Sequence, residues 1–217
     1  MSNGTLYVKD LPRGLLPKAL AKYFEVDINV VDADTSAEFK RDFPLGRVPS
    51  IVGKNDFILH EAMAVNPYLV ELSGNKEATK TLLGSNVQEK ALIAKWMSLS
   101  NTEFFMSLAN IFYMYTNRYP YHQDVVDRSF ETVKAATFMF EDRLKKHKYL
   151  AADRITIADL FVVTQWAFVL QLCYGPEWRK EHPSIVNWAL DVIKSPILKD
   201  YYTDFTLCEK TFEPTKK

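Results

Sequence analysis

The sequence predicts a small α/β layer unit followed by an all-helical unit, on three observations. Up to Asn75, β-prone runs alternate with helical spacing in the order β-α-β-α-β-β-α. From Val87 onward strand signals nearly vanish and apolar residues recur at helical spacing. The 217 residues, 47% hydrophobic and 25% charged, have the composition of an ordinary globular chain, long enough for one large domain or two small ones. The expected division is residues 1–76, a connector at 77–88, and 89–217.

Each element has its own local reason. Thr5–Lys9 and Ile28–Val31 are short, apolar and β-prone. Between them Leu16, Ala19, Leu20 and Tyr23 share one helical face, with Pro17 expected in the first turn, where a missing N–H costs nothing. Ser36 caps a short helix that stops before Pro44, with Glu38 in its first turn. Ser50–Val52 and Phe57–Leu59 flank the polar turn Gly53-Lys54-Asn55-Asp56 and read as a hairpin. A helix from Glu61 to Leu72 closes the unit, stopped by Ser73-Gly74-Asn75.

In the second half, Val87 to Arg118 reads as one helix, roughly 48 Å long at about 1.5 Å per residue. Asp124 to His147 is the next, with Val126, Phe130, Val133, Phe140 and Leu144 as its buried stripe. Thr156–Tyr174, Ser184–Lys194 and a turn after Pro196 follow, and the polar tail Glu213–Lys217 is expected to fray.

Charge excludes one class of function. Lys plus Arg and Asp plus Glu both total 27, so no basic surplus exists to grip a phosphate backbone. Two cysteines cannot build a disulfide scaffold. No apolar run approaches the roughly 20 residues of a membrane span. Met1-Ser2-Asn3-Gly4 has no secretory n-region or h-region. The expectation is a soluble, intracellular protein.

Few residues point to chemistry. Pro49 in Val48-Pro49-Ser50 is either an ordinary turn proline or a cis-proline that bares the Val48 backbone for a peptide-like ligand. Glu61 opens a helix, where it either compensates the dipole or holds an ammonium beside free N–H groups. Thr156 and Asp159 form a capping box, with Ile155 and Leu160 as its staple, and read as structural. His60, His122, His147 and His182 lack metal-ligand spacing, so no metal site is expected. Cys173 reads as buried and inert, Cys208 as a tail thiol, and the four tryptophans as core anchors.

Taken together, the element order, Gly46-Arg47-Val48-Pro49, Glu61 after the hairpin and the Thr156–Asp159 box resemble the cytosolic glutathione transferases over roughly residues 4 to 205. A narrower likeness rests on Gly4-Thr5-Leu6-Tyr7, Phe43-Pro44-Leu45, Glu61-Ala62-Met63-Ala64, Leu82-Leu83-Gly84 and Trp96-Met97-Ser98-Leu99. It extends through Gly175-Pro176-Glu177-Trp178-Arg179, His182-Pro183, Trp188 and Ser195-Pro196-Ile197-Leu198-Lys199. These are similar to the transferase-like module of the elongation factor 1B gamma family, fungal type. In that family a lysine-rich linker and a further domain follow the module; the sequence leaves open whether this chain is an excised module or a stand-alone relative.

The resemblance implies a thioredoxin-like N-terminal domain and an all-helical C-terminal domain, in a cytoplasmic protein of translation elongation. It assigns Arg47, Val48 with Pro49, and Glu61 to the glycine-carboxylate, cysteine-backbone and γ-glutamyl contacts of a glutathione site. Ala62 stands where the family commonly has Ser, so that site is vestigial and glutathione a weak ligand, with no cofactor required. Aligning Arg13-Gly14 puts Lys9 at the position of the thiol-activating tyrosine. Tyr7 lies two residues early, about 6.5 Å along the strand. Tyr7 and Lys9 are thus weak catalytic candidates. The implied function is a non-catalytic scaffold assembling with the elongation factor 1B guanine-exchange subunit, without nucleic-acid contact. The alternative is an active glutathione transferase. Pro67, inside a helix that contributes to transferase dimers, departs from the pattern and leaves a homodimer open.

Overall fold

The computed structural model describes residues 2–212. The expectation for Glu213–Lys217 lies outside these. The first unit contains β1 (Gly4–Val8), α1 (Pro12–Tyr23), β2 (Asn29–Asp32), α2 (Ala37–Asp42), β3 (Ser50–Gly53), β4 (Ile58–His60) and α3 (Ala62–Leu72). The sheet order is β2-β1-β3-β4, with β1 parallel to β2 and antiparallel to β3. Strand alternation sorts the side chains of β1. Leu6 and Val8 enter the main core with Leu20 and Leu69, while Tyr7 enters a separate cluster with Ala33, Phe39 and Phe43. Ser36 caps α2 as expected, its Oγ accepting the Phe39 amide at 3.1 Å.

Helix α1 begins earlier than its apolar spacing suggested. Pro12 occupies the start of the helix, and Pro17 falls in the second turn, leaving the Arg13 carbonyl without its helical donor. Gly14 permits this tight return from β1, since a Cβ there would sit 2.1 Å from the Lys9 carbonyl oxygen. Pro67 does not shorten α3, which runs unbroken to Leu72. Beside it the buried Asn66 side chain donates to the Ala62 carbonyl at 2.8 Å.

The segment expected to connect the two halves carries a helix of its own, α4 (Lys76–Leu83), capped by Asn75. The expected single helix after Val87 is α5 (Val87–Ser98), a π-helical stretch (Leu99–Phe104) and α6 (Phe105–Tyr115). The π stretch widens the coil by one residue and rotates the faces that follow. Phe104 then stacks on Trp166, with ring centroids 4.2 Å apart, while Phe105 turns toward α1.

Helix α7 (Gln123–Lys146) buries Val126, Val133, Phe140 and Leu144, but Phe130 is 42% exposed. Phe130 lies past the edge of that stripe and faces a groove instead. Helix α8 (Ile157–Leu172) is buried at every residue from Ile157 to Ala167 and packs on α1, α5 and α10 (Pro183–Val192), so it is the spine joining both units. A short helix that apolar spacing missed, α9 (Pro176–Glu181), precedes α10, and a single 3₁₀ turn (Lys199–Tyr201) follows. Among the described residues no helix is long and apolar enough to cross a membrane.

Candidate functional site

The residues singled out around Pro49 meet at one end of the sheet. The loop from α2 to β3 turns at Gly46 (φ 60°) and reaches a cis Val48–Pro49 peptide bond. Ser50 fixes the turn, its Oγ donating to the Arg47 carbonyl at 2.9 Å. Pro49 is buried and the Val48 side chain packs on the Tyr7 cluster, while no backbone partner takes the Val48 N–H or C=O among the described residues. A free N–H and C=O on one residue can take the two backbone bonds of an extended peptide.

Glu61 lies just before α3 with φ 75°, a left-handed conformation uncommon for a non-glycine residue. Its carbonyl accepts the Ala64 and Val65 amides, and its side chain is exposed. Ala62 follows, buried and with no polar atom in its side chain.

Arg13, which the sequence used only as an alignment point, is a buried charge that Glu61 and Arg47 act on. One guanidinium nitrogen donates to the Asn101 carbonyl in the π stretch at 3.1 Å, and the group lies 5.1 Å from the Phe105 ring centre. Its Nε is buried and has no hydrogen-bond partner among the described residues. Burial pulls the Arg13 pKa down from its ordinary value. The Glu61 carboxylate opposes that, Arg47 adds to it, and Tyr113 opposes it, so these four side chains share one field. The sequence did carry a signal. A cation in the first turn of α1, with no acid beside it, opposes the helix dipole and needs another reason to be there.

Of the catalytic candidates, Tyr7 belongs to the cluster that the Val48 side chain packs on. Tyr7 is buried with Phe39 and Phe43, ring centroids 5.5 and 6.0 Å away. The Lys9 ammonium is paired with Asp34 at 2.5 Å, beyond β2. Thr156 and Asp159 close their capping box far from the cleft, at the start of α8. Asp159 Oδ2 accepts the Thr156 amide at 2.9 Å, and Oδ1 accepts the Leu150 amide at 2.9 Å. No group of three or more potential metal ligands occurs among the described residues.

A cavity of about 600 Å³ lies apart from this cleft, between α6, α7 and α9. Phe112, Phe130, Phe138, Trp178 and Phe212 line it, with Cys173 and His182 among its polar members. We place the candidate site at Val48 and Glu61, with Arg13 within reach of the Glu61 charge.

Known proteins resemble this chain over both of its units. The family model for the glutathione S-transferase N-terminal domain matches residues 4–71, and that for the C-terminal domain matches residues 89–196. Elongation factor 1-gamma 1 of Saccharomyces cerevisiae is 39% identical over 99% of this chain, which spans 52% of that protein's length. A second Saccharomyces cerevisiae protein, described as an elongation factor 1 gamma homolog, is 33% identical with both chains covered in full. Glutathione S-transferase AN1595 of Emericella nidulans is 32% identical over 91% of this chain and 75% of its own. Among solved structures, the GST-like domain of elongation factor 1-gamma from Saccharomyces cerevisiae superposes with a TM-score of 0.89 at 39% identity, both chains fully covered.

Proposed function

Since the chain belongs to the glutathione S-transferase family, in its elongation factor 1-gamma branch, we propose that it is a non-catalytic scaffold that assembles with the elongation factor 1B guanine-exchange subunit. Glutathione is a weak ligand of its vestigial cleft in this reading.

The observation that carries the reading is how β1 ends. A thiol of ordinary pKa, about 8.5, is mostly protonated at neutral pH, and conjugation needs a fixed donor to stabilise the thiolate. The three side chains at that end are Tyr7, Val8 and Lys9. Tyr7 is enclosed by aromatic rings, Val8 is in the core, and Lys9 is held by Asp34. The aromatic packing of Tyr7 and the Lys9–Asp34 pair support reading neither side chain as a fixed donor to a sulfur laid against Val48. The chain spans about half the length of the first curated relatives it matches, so the role of the whole assembly is carried over as part of this proposal.

A second reading, an active glutathione transferase, draws on Tyr113. This tyrosine of α6 acts on the charge of Arg13 and is the hydroxyl this reading would call on. The likeness to AN1595 also favours it.

Size-exclusion chromatography of the purified chain with the purified exchange subunit tests the first reading. Co-elution at a fixed stoichiometry that survives excess reduced glutathione is the expected result. Separate elution at micromolar concentrations of both proteins would contradict it.

A further inference from the structure

The chain after the 3₁₀ turn runs back along the end of α8 and is held there by a frame of hydrogen bonds. The Cys208 amide donates to the Leu170 carbonyl at 3.0 Å, and the Phe212 amide to the Cys173 carbonyl at 2.8 Å. Between them Thr211 Oγ1 accepts the Gly175 amide at 3.2 Å. Arg179 clamps both segments through one nitrogen, donating to the Tyr174 carbonyl at 2.8 Å and the Cys208 carbonyl at 2.7 Å. The approach is close enough to need glycine at 175, where a Cβ would meet the Thr211 amide nitrogen at 2.4 Å.

This frame places the chain's two cysteines on facing segments. The Leu170 carbonyl lies one helical turn before Cys173. With the Cys208 N–H bonded to it, the two Cα atoms come within about 7 Å by backbone and helical geometry. A disulfide joins Cα atoms about 4.4–6.8 Å apart, a range that lies inside this limit. Both thiols are half-buried and free, and the charge of Cys208 acts on Cys173. Cys173 lines the groove between α6, α7 and α9 and takes no part in the Val48–Glu61 cleft.

We propose that Cys173 and Cys208 form a redox-sensitive dithiol that closes to an intramolecular disulfide and staples residues 208–212 to the end of α8. The oxidant is a small-molecule disulfide. The Cys208 thiolate attacks one sulfur of it, forming a mixed disulfide and releasing one thiolate, which takes up a proton. Cys173 then gives its proton to water and attacks Cys208 Sγ, releasing the second thiol. Two protein thiols are oxidised and one disulfide is reduced to two thiols. Cys208 is the entry point because burial first, and then the charge of Cys208, push the Cys173 thiol up to about 11. Closure fixes one wall of the groove, which Thr211 and Phe212 form.

Hydroxyethyl disulfide is the probe, since it makes no use of a glutathione cleft. The native chain is treated without denaturant, alkylated, and mapped by mass spectrometry without reduction. The expected product is a cross-linked Cys173–Cys208 peptide pair in a monomeric chain that has lost two hydrogens and both titratable thiols. Cys173→Ser is expected to stop at a single adduct on Cys208. A native chain that stops at adducts without the cross-linked pair overturns the proposal. So does a disulfide found only between chains, or thiols that react only in denaturant. Should the variant misfold, the peptide map of the native chain still separates these outcomes.

Discussion

Asp159, at the start of α8, accepts the indole N–H of Trp188 in α10 at 3.0 Å, through the same oxygen that accepts the Leu150 amide. Its other oxygen takes the Thr156 amide and hydroxyl, each at 2.9 Å. A motif that reads locally as a helix cap is therefore a buried junction of three segments. Desolvation pushes the Asp159 pKa up, and these four donors oppose it.

Removing that carboxylate strands the Leu150 and Thr156 amides and the Trp188 indole in a dry site, at about 1–3 kcal/mol for each donor. Asp159→Ala is therefore expected to cost at least about 3 kcal/mol, beyond the roughly 0.5–2 kcal/mol typical of a lost cap. Urea unfolding of Asp159→Ala, Trp188→Phe and the double variant checks this. A non-additive coupling above about 0.5 kcal/mol is expected, and strict additivity would contradict the junction.

The pair Glu89–Arg154 predicts a pH dependence. Arg154 donates to both Glu89 oxygens, at 3.2 and 2.6 Å, and to the Thr81 carbonyl at 3.2 Å, tying α4 and α5 to the loop before α8. The Arg154 hydrogen bonds first, and then the Ser85 amide, hold the Glu89 carboxyl down at about 2, against an ordinary 4.5. The folded pKa is depressed, so its stabilisation is present above about 4.5 and disappears as pH falls through about 2. The thermal-midpoint advantage of the native chain over Glu89→Gln should be constant near neutrality and shrink across that window. An advantage unchanged down to about pH 2 would contradict the assignment.

Ala62 predicts a gain. Its amide stays at the N-terminus of α3 but its side chain has no polar atom, so Ala62→Ser adds a hydroxyl beside the site assigned to the γ-glutamyl end. One new hydrogen bond is worth about 0.5–1.5 kcal/mol, an affinity gain of about two- to tenfold for reduced glutathione. Isothermal titration reads it, and an unchanged or weaker affinity would remove Ala62 from the site.

Gly14 is the position where the β1–α1 turn is least tolerant. Because a Cβ would lie 2.1 Å from the Lys9 carbonyl oxygen, Gly14→Ala should cost roughly 1–3 kcal/mol by forcing the turn apart. It should also weaken glutathione binding through Arg13, which shares that turn. A denaturation midpoint unchanged from the native chain would show that the turn relaxes freely.

What could be read in one dimension follows from range. The order of strands and helices, the Ser36 cap, the hairpin turn and the cis-proline context depend on residues a few positions apart. The π stretch was hidden because it is set by the packing of Ser100 on Gln165 and Phe104 on Trp166, across more than sixty positions. Arg13 was overlooked because its partner Asn101 lies 88 positions away. Phe130 was misassigned because periodicity marks a face but not where that face ends. The Lys9–Asp34 pair was hidden because an unshielded and a paired lysine read alike in a linear sequence.

The missing thiol activator is the centre of the scaffold reading, and turnover with reduced glutathione and a generic aromatic electrophile measures it most directly. The native chain, Tyr7→Phe, Lys9→Ala and Tyr113→Phe should all conjugate at the rate of the protein-free reaction while remaining folded by circular dichroism. Turnover well above that rate in the native chain, lost in any one of the three variants, would contradict the scaffold reading and name the activator.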